Sequence, residues 1–583
     1  MKNFLNRWFN PTHSLFFLYQ LYKKFVFRKF FRTFEENPLT SRQIESIILD
    51  ERRNLLIAGA GTGKTSTLLG KIGYLIENKT CKGDQILALA YNKSAAVEIK
   101  ERLADKLGVN ITTSTFHGLG MKILQDSGEE TRVSNFVNQP ILFQKFITNV
   151  IENKILKDKK LLEKYLKFFL EFEYSVGDET RDFETFEESA AWHRSNPLRT
   201  LKRHKETNKG EIVKSYGELL IANFLYRNGI PYQYEPHYKS LTPLKGYYRP
   251  DFGIEDRDIY IEFFGIDKNN KTAKFIDNEK YLKQMEWKKN LHKRNRTILI
   301  SLYHHQVIDK SLLDNLRAQL RRHKVAFSPV DNQTLIQDIK VSERDKKFIE
   351  LIVSFLNQFK ENAAKMSFEK IRDKSRGDTR AEIFLDIFSV ILEDYEDYLR
   401  KNEFLDFPDM ISKAAQIVEE KKFLSPWKRV LVDEFQDISS GRFSLLESIL
   451  NQNSETNLCC VGDDWQSIYR FSGSNNKIIT KFEDYFGRHT ALSLDTTFRF
   501  NNKISEVSEK FITQNPNQLK KNLKTLYKKQ LPQVVIQYAS GDDLLSEVLK
   551  SITDIQSSND TTGKTLLLLS RYNYSKRPIF ESE

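Results

Sequence analysis

The residues best equipped for chemistry lie in a glycine loop, Gly59-Ala60-Gly61-Thr62-Gly63-Lys64-Thr65. The apolar run Asn54-Leu-Leu-Ile-Ala58 precedes it, and Ser66 to Ile76 reads as a helix. Between a strand and a helix, the backbone N–H groups of such a loop and the helix N-terminus cradle phosphates. Lys64 would reach the β- and γ-phosphates, and the Thr65 hydroxyl would ligate Mg²⁺. The strict pattern has Gly where Ala58 stands, and its looser form accepts the change. A second segment, Arg429-Val-Leu-Val-Asp433-Glu434-Phe-Gln436-Asp437, is an apolar strand ending in acids. Asp433 would hold Mg²⁺ and Glu434 would activate the attacking water. The two segments together predict a nucleoside triphosphate site.

A different chemistry is written at Arg249-Pro-Asp251-Phe-Gly and Ile259-Tyr-Ile-Glu262-Phe-Phe264, which read as a hairpin with an acid on each arm. Asp251 and Glu262 on adjacent strands could hold Mg²⁺ through oxygen ligands. Upstream, Glu211 to Arg227 reads as a helix. Glu218 lies in line with Ile221, Ala222 and Leu225, on an apolar face where a lone acid is costly unless paired or metal-bound. Strands at 229–235 and 297–303 and a helix near 277–293 complete an α-β-β-β-α-β order that resembles the PD-(D/E)XK nuclease core. That pattern has a lysine two residues after the second acid, where Phe264 stands. Tyr281, Met285, Lys288 and His292 are spaced 4, 3 and 4 and share a helix face, so Lys288 is the migrated candidate. The alternative is a retired nuclease fold that binds DNA or serves as scaffold.

These segments need several cores, because 583 residues exceed what one domain buries. A net charge of +13 and a pI near 9.1 point to an anionic partner, with nucleic acid the usual one. The three cysteines, Cys81, Cys459 and Cys460, supply neither a disulfide framework nor a CxxC metal pair, which suits a reducing cytoplasm. The first 34 residues carry seven Lys/Arg and no acid, but hold no secretory signal pattern and no 18-residue apolar span. This basic aromatic leader has no assigned role.

Further motifs occur in a fixed order: Leu39-Thr-Ser-Arg-Gln43, Ala90-Tyr91-Asn-Lys-Ser-Ala-Ala96, Thr113-Ser-Thr-Phe116-His117-Gly118, the acidic strand end, Val461 to Gly473, and Asp495-Thr-Thr-Phe498-Arg499. In this order they resemble the UvrD/Rep-type superfamily 1 DNA helicases, most closely the helicase IV branch. The resemblance implies an α/β fold: a RecA-like P-loop domain at 38–135 and 413–499, and a helical subdomain at 136–205 and 326–412. It leaves the nuclease-like insertion at 206–325, the basic segment at 1–37 and an incomplete second RecA-like domain at 500–583. It also implies that Gln43 and Phe498 hold adenine, that Gln466 couples the γ-phosphate to the DNA track, and that Arg499 stabilises the transferring phosphoryl group. Tyr91, Phe116, His117, Tyr469 and Phe471 stand where the family contacts single-stranded DNA. Core packing is the competing reading for each of the aromatic rings among them. Implied are ATP and Mg²⁺ as cofactors, single-stranded DNA and duplex junctions as partners, 3′ to 5′ movement, and a role in repair or recombination. The family's motifs V and VI have no counterpart in the sequence, so a non-unwinding ATP-binding protein and a Mg²⁺-dependent nuclease are the alternatives.

Overall fold

The computed structural model describes residues 11–137, 139–171, 205–238, 248–272, 277–309, 311–362, 367–469, 473–531, 534–535, 544–557 and 567–569. The chain divides into two compact units, one of residues 1–165 and 343–534, the other of 166–342 and 535–583.

The first unit is built on a six-stranded sheet. Its spatial order is Thr490–Ser493, Arg53–Ile57, Asn457–Gly462, Arg429–Val432, Ile86–Ala90 and Thr112–Thr115. All neighbours run parallel. Parallel strands covered on both faces read as unbroken apolar runs, and alternate residues feed opposite layers. Leu55, Leu87, Leu89, Val430, Val432, Leu458 and Cys460 pack into one core, and Leu56, Ile86, Ala88, Leu431, Cys459 and Val461 into the other. The adjacent cysteines therefore point to opposite faces of one strand and cannot pair.

Part of the basic leader is drawn into this unit. The helix Arg28–Thr33 buries Phe31 against the sheet's second core, where Phe27 and Phe31 pack on Tyr74 at 5.1 and 6.0 Å. Lys23 donates to Asn78 at 2.7 Å and Lys24 to Glu45 at 3.1 Å. Among the described residues no helix is long and apolar enough to cross a membrane.

Helices Arg344–Asn362, Thr379–Lys401 and Phe407–Glu419 also belong to the first unit. They are joined by the buried Lys360, whose ammonium meets Glu396, Asp406 and Asp409 at 2.8, 2.8 and 2.9 Å.

The second unit holds a four-stranded mixed sheet. Ile298–Tyr303 pairs parallel with Ile259–Phe264, which pairs antiparallel with Phe252–Ile254, itself antiparallel to Tyr232–Tyr234. The helix expected from Glu211 begins instead at Tyr216, capped by the Ser215 hydroxyl. Ile212–Val213 pairs with Lys205–Glu206 as a short hairpin, which delays the helix until a capping side chain is available. Residues from helices Tyr216–Arg227 and Leu312–Arg322 join the sheet in one core. Of the carboxy-terminal segment expected to start a further RecA-like domain, the helix Leu544–Gln556 is described; the expected strands at 534–538 and 565–570 lie mostly outside the described residues.

Candidate functional site

The glycine loop leaves the strand Arg53–Ile57 at the carboxyl ends of the parallel sheet and enters the helix Lys64–Glu77. Gly61 and Gly63 have φ of 72° and 77°, where a side chain is strained. A Cβ on Gly61 would lie 2.4 Å from Arg499 Cβ, and one on Gly63 would lie 2.5 Å from the Gln43 amide nitrogen. The loop is therefore closed in by the residues expected to serve it.

The acidic strand end faces this loop. Lys64 Nζ lies 2.7 Å from Glu434 Oε2, and the Thr65 hydroxyl donates to Asp433 Oδ2 at 3.3 Å. Burial pushes the Asp433 carboxyl up to about 6, and the charge of Glu434 adds to the shift. Asp437 is pushed up to about 7 by burial and then by the same neighbour. Crowded buried carboxylates of this kind gain from a cation among them. The phosphate cradle, the lysine and the Thr65–Asp433 oxygen pair thus fit a nucleoside triphosphate with Mg²⁺.

Beside the loop a cavity of ≈ 690 Å³ is lined by Leu39, Gln43, Gly63, Ser66, Phe498 and Arg499, among others. Phe498 is 40% exposed at this cavity. Its N–H donates to Gly61 O at 2.9 Å, and the Thr497 hydroxyl donates to Ala60 O at 2.8 Å. Gln43 is only 5% exposed. Its Oε1 accepts from Thr40 N at 2.8 Å and its Nε2 donates to Thr62 O at 3.3 Å, which leaves one amide N–H for any base.

Gln436 received no role from the sequence, yet it ties the site together. Its amide donates to Glu434 Oε2 at 2.8 Å and accepts from Asp463 N at 2.9 Å. Gln466, the expected phosphate sensor, donates to Asp463 Oδ2. One bonded path therefore runs from Lys64 through Glu434, Gln436 and Asp463 to Gln466.

The residues expected to contact DNA separate into groups. Tyr91 and Tyr469 stand with ring centroids 5.0 Å apart, and the Arg442 guanidinium lies over Tyr91 at 5.4 Å. Arg442 was not foreseen; it lies within the first turns of the helix Ser440–Gln452, which follows the acidic segment. Phe116 is a correction: at 6% exposure it belongs to the sheet core with Leu119 and Ile123, because its helix turns that face inward. His117 stacks on Phe407 at 4.3 Å, and burial, then the charge of Arg442, lowers its imidazole to about 3. Its Nε2 is buried with no hydrogen-bond partner among the described residues. Phe471 lies outside the described residues.

The UvrD/REP helicase N-terminal domain matches residues 39–487, across both arms of the phosphate site. The chain belongs to the UvrD/REP helicase family. Similar proteins include DNA helicase IV of Escherichia coli (strain K12), 26% identical over 553 residues that cover 95% of this chain and 57% of that protein. ATP-dependent DNA helicase PcrA of Bacillus subtilis (strain 168) is 28% identical over 204 residues, 34% of this chain and 27% of that protein. ATP-dependent DNA helicase Rep of Buchnera aphidicola is 27% identical over 195 residues, 33% of this chain and 30% of that protein. The chain thus spans little more than half the length of the helicase IV relative.

This UvrD/REP-family chain carries a second constellation, in the mixed sheet of its other unit. The hairpin register, continued by one residue, sets Asp251 opposite Glu262. Asp251 Oδ2 accepts from Phe263 N at 2.6 Å. Burial and the charge of Glu262 hold Asp251 well above the usual carboxylate range. Glu262 is 1% exposed and both its oxygens are engaged: Oε1 accepts from the Tyr248 phenol at 2.7 Å, and Oε2 from Lys288 Nζ at 2.5 Å. Phe264 occupies the usual lysine position and packs with Ile266 and Met285, so an apolar patch fills that spot and the ammonium arrives from the helix Asn278–Arg294. Glu218 Oε2 accepts from the Tyr234 phenol at 2.7 Å and from Lys214 N at 3.1 Å. Among the described residues no three His, Cys, Asp or Glu side chains are gathered closely enough to hold a metal ion. Asp251 and Glu262 stand opposed with Lys288 beside them, and the charge of Glu218 adds to the shift of Asp251.

Proposed function

We propose that this chain is an ATP-driven motor that moves 3′ to 5′ along single-stranded DNA, in repair or recombination. The observation that carries the reading is the approach of Lys64 and Thr65 to Glu434 and Asp433 across the mouth of the parallel sheet. Bound Mg²⁺ would neutralise charge on the phosphates between Thr65 and Asp433. Lys64 would hold the β- and γ-oxygens, Glu434 would take a proton from the attacking water, and Arg499 would answer charge that builds on the transferring group. The Gln436–Asp463–Gln466 path runs from that water's base toward Tyr469, three residues beyond the sensor, and Tyr91 beside it. Stacking of bases on such rings contributes roughly 1–3 kcal/mol per base without sequence preference. The helicase names of the relatives and the chain's net charge of +13 support the DNA limb of the reading. Displacement of streptavidin from biotinylated oligonucleotides tests it. ATP-dependent release from the 5′ end but not the 3′ end is expected, and release from the 3′ end alone would reverse the polarity.

A second activity is favoured by the Lys288–Glu262 contact. We infer a Mg²⁺-dependent phosphodiesterase site in which Asp251 and Glu262 would hold the ion and Lys288 would orient or protonate a phosphate oxygen. Cleavage of circular single-stranded DNA in Mg²⁺ should disappear in both Glu262→Gln and Lys288→Met. Cutting that survives Glu262→Gln would assign the nuclease to a contaminant and leave the module as scaffold.

A further inference from the structure

The lysine at 521 has no place in the motifs, yet it is among the most deeply buried charges of the first unit. Its side chain is 3% exposed, between Asp463 at 1% and Asp464 at 0%. Its Nζ lies 2.6 Å from Asp464 Oδ1, also contacts Asp463 Oδ1, and sits 5.0 Å from the centre of the Trp465 ring. The same short segment is fastened twice more. Trp465 Nε1 donates to Leu519 O at 2.8 Å, and Leu519 N donates to Asp464 Oδ2 at 2.7 Å. Two residues further on, Leu523 packs so closely on the glycine loop that a Cβ on Gly59 would lie 2.6 Å from it. One stretch therefore grips both the sensor loop and the phosphate loop.

Three ions in a dry setting are a poor way to gain stability, because desolvation consumes most of the attraction. What they fix is geometry. Asp463 Oδ1 accepts from Lys521 and, at 3.1 Å, from Trp465 N, its Oδ2 accepts from Gln466, and its own N–H goes to Gln436. With the lysine present, the carboxylate has one orientation, and the Gln466 amide has one aim. Without it, two adjacent buried carboxylates repel, and only the Trp465 N–H and the Gln466 amide are left to aim Asp463.

We propose that Lys521 is a positioning residue for ATP hydrolysis: it locks Asp463 so that Gln466 meets the γ-phosphate. The proposal rests on the motor reading above. Its second part explains Trp465, whose indole roofs the ion cluster and keeps water from loosening it.

The test is steady-state hydrolysis with single-stranded DNA, with binding of a fluorescent non-hydrolysable ATP analogue measured on the same 583-residue chain. Lys521→Met should lower kcat on the order of 10–100-fold, the usual consequence of a misaimed group, with analogue affinity within about twofold of wild type. Because this variant leaves two uncompensated acids, Lys521→Met is also paired with Asp464→Asn. The pair should regain the wild-type melting temperature and keep the low kcat. A pair that regains kcat along with its melting temperature, or a single variant with wild-type kcat, makes Lys521 a structural ion only and overturns the proposal. A wild-type chain without hydrolysis that depends on Glu434 defeats the motor reading and takes this proposal with it, so the two failures are told apart by the wild-type trace.

Discussion

Glu434→Gln is expected to lower ATP turnover by roughly 10²–10⁴-fold while nucleotide binding persists, the range that general-base catalysis contributes. The substitution is isosteric, so the amide oxygen can still accept from Lys64 or from Gln436, which the carboxylate now serves at 2.7 and 2.8 Å. What it removes is the ability to take a proton. It also relieves Asp433 and Asp437, both of which are crowded by the Glu434 charge. Nucleotide affinity should therefore hold or tighten. Single-turnover hydrolysis alongside analogue titration measures both arms. Turnover within about threefold of wild type would mean that another group activates the water.

Lys360→Met should destabilise the first unit by about 3–5 kcal/mol, the cost of stripping one partner from a buried ion cluster. Burial pulls this ammonium's affinity for its proton down, yet Asp406, Asp409 and Glu396 outweigh it and raise the net value. The effect has a pH signature. Asp409 is pushed up to about 7 by burial and then by Asp406, so its folded form holds a proton more readily than the unfolded chain does. Such a group loses stability as pH rises between its unfolded and folded values, and removing Lys360 steepens the loss. Urea unfolding should therefore find the variant's deficit larger at pH 8 than at pH 5. An equal deficit at both values would assign it to lost packing by the lysine stem.

The phosphate site was legible because its chemistry is local. A seven-residue loop and a strand ending in acids carry their roles in consecutive letters, and the parallel strands announce themselves as apolar runs. Lys288 was legible for a related reason, since helical spacing set it on the face that Phe264 could not serve. Roles that depend on contacts between distant segments were not. Gln436 stood inside a quoted motif without a function, because its value lies in the bond to Asp463, 27 residues away. Arg442 and Lys521 lie among ordinary basic residues, and only packing distinguishes an ammonium between two carboxylates from a solvated one. Phe116 failed in the opposite sense. A motif position suggested a stacking platform, but the amphipathic helix that begins there needs its first aromatic for the core. Glu218 was placed correctly as a buried acid, but the Tyr234 phenol that reaches its Oε2 had no signal in the sequence.

The most direct test of the motor is ATP hydrolysis by the full chain with and without oligo-dT, using Glu434→Gln as the blank. The arrangement of Lys64, Glu434, Gln436 and Gln466 predicts a wild-type rate that rises at least about tenfold with the oligonucleotide, an increment smaller than one well-placed catalytic contact, and that vanishes in the blank. A wild-type rate that is indifferent to DNA, or equal to the blank, would contradict it.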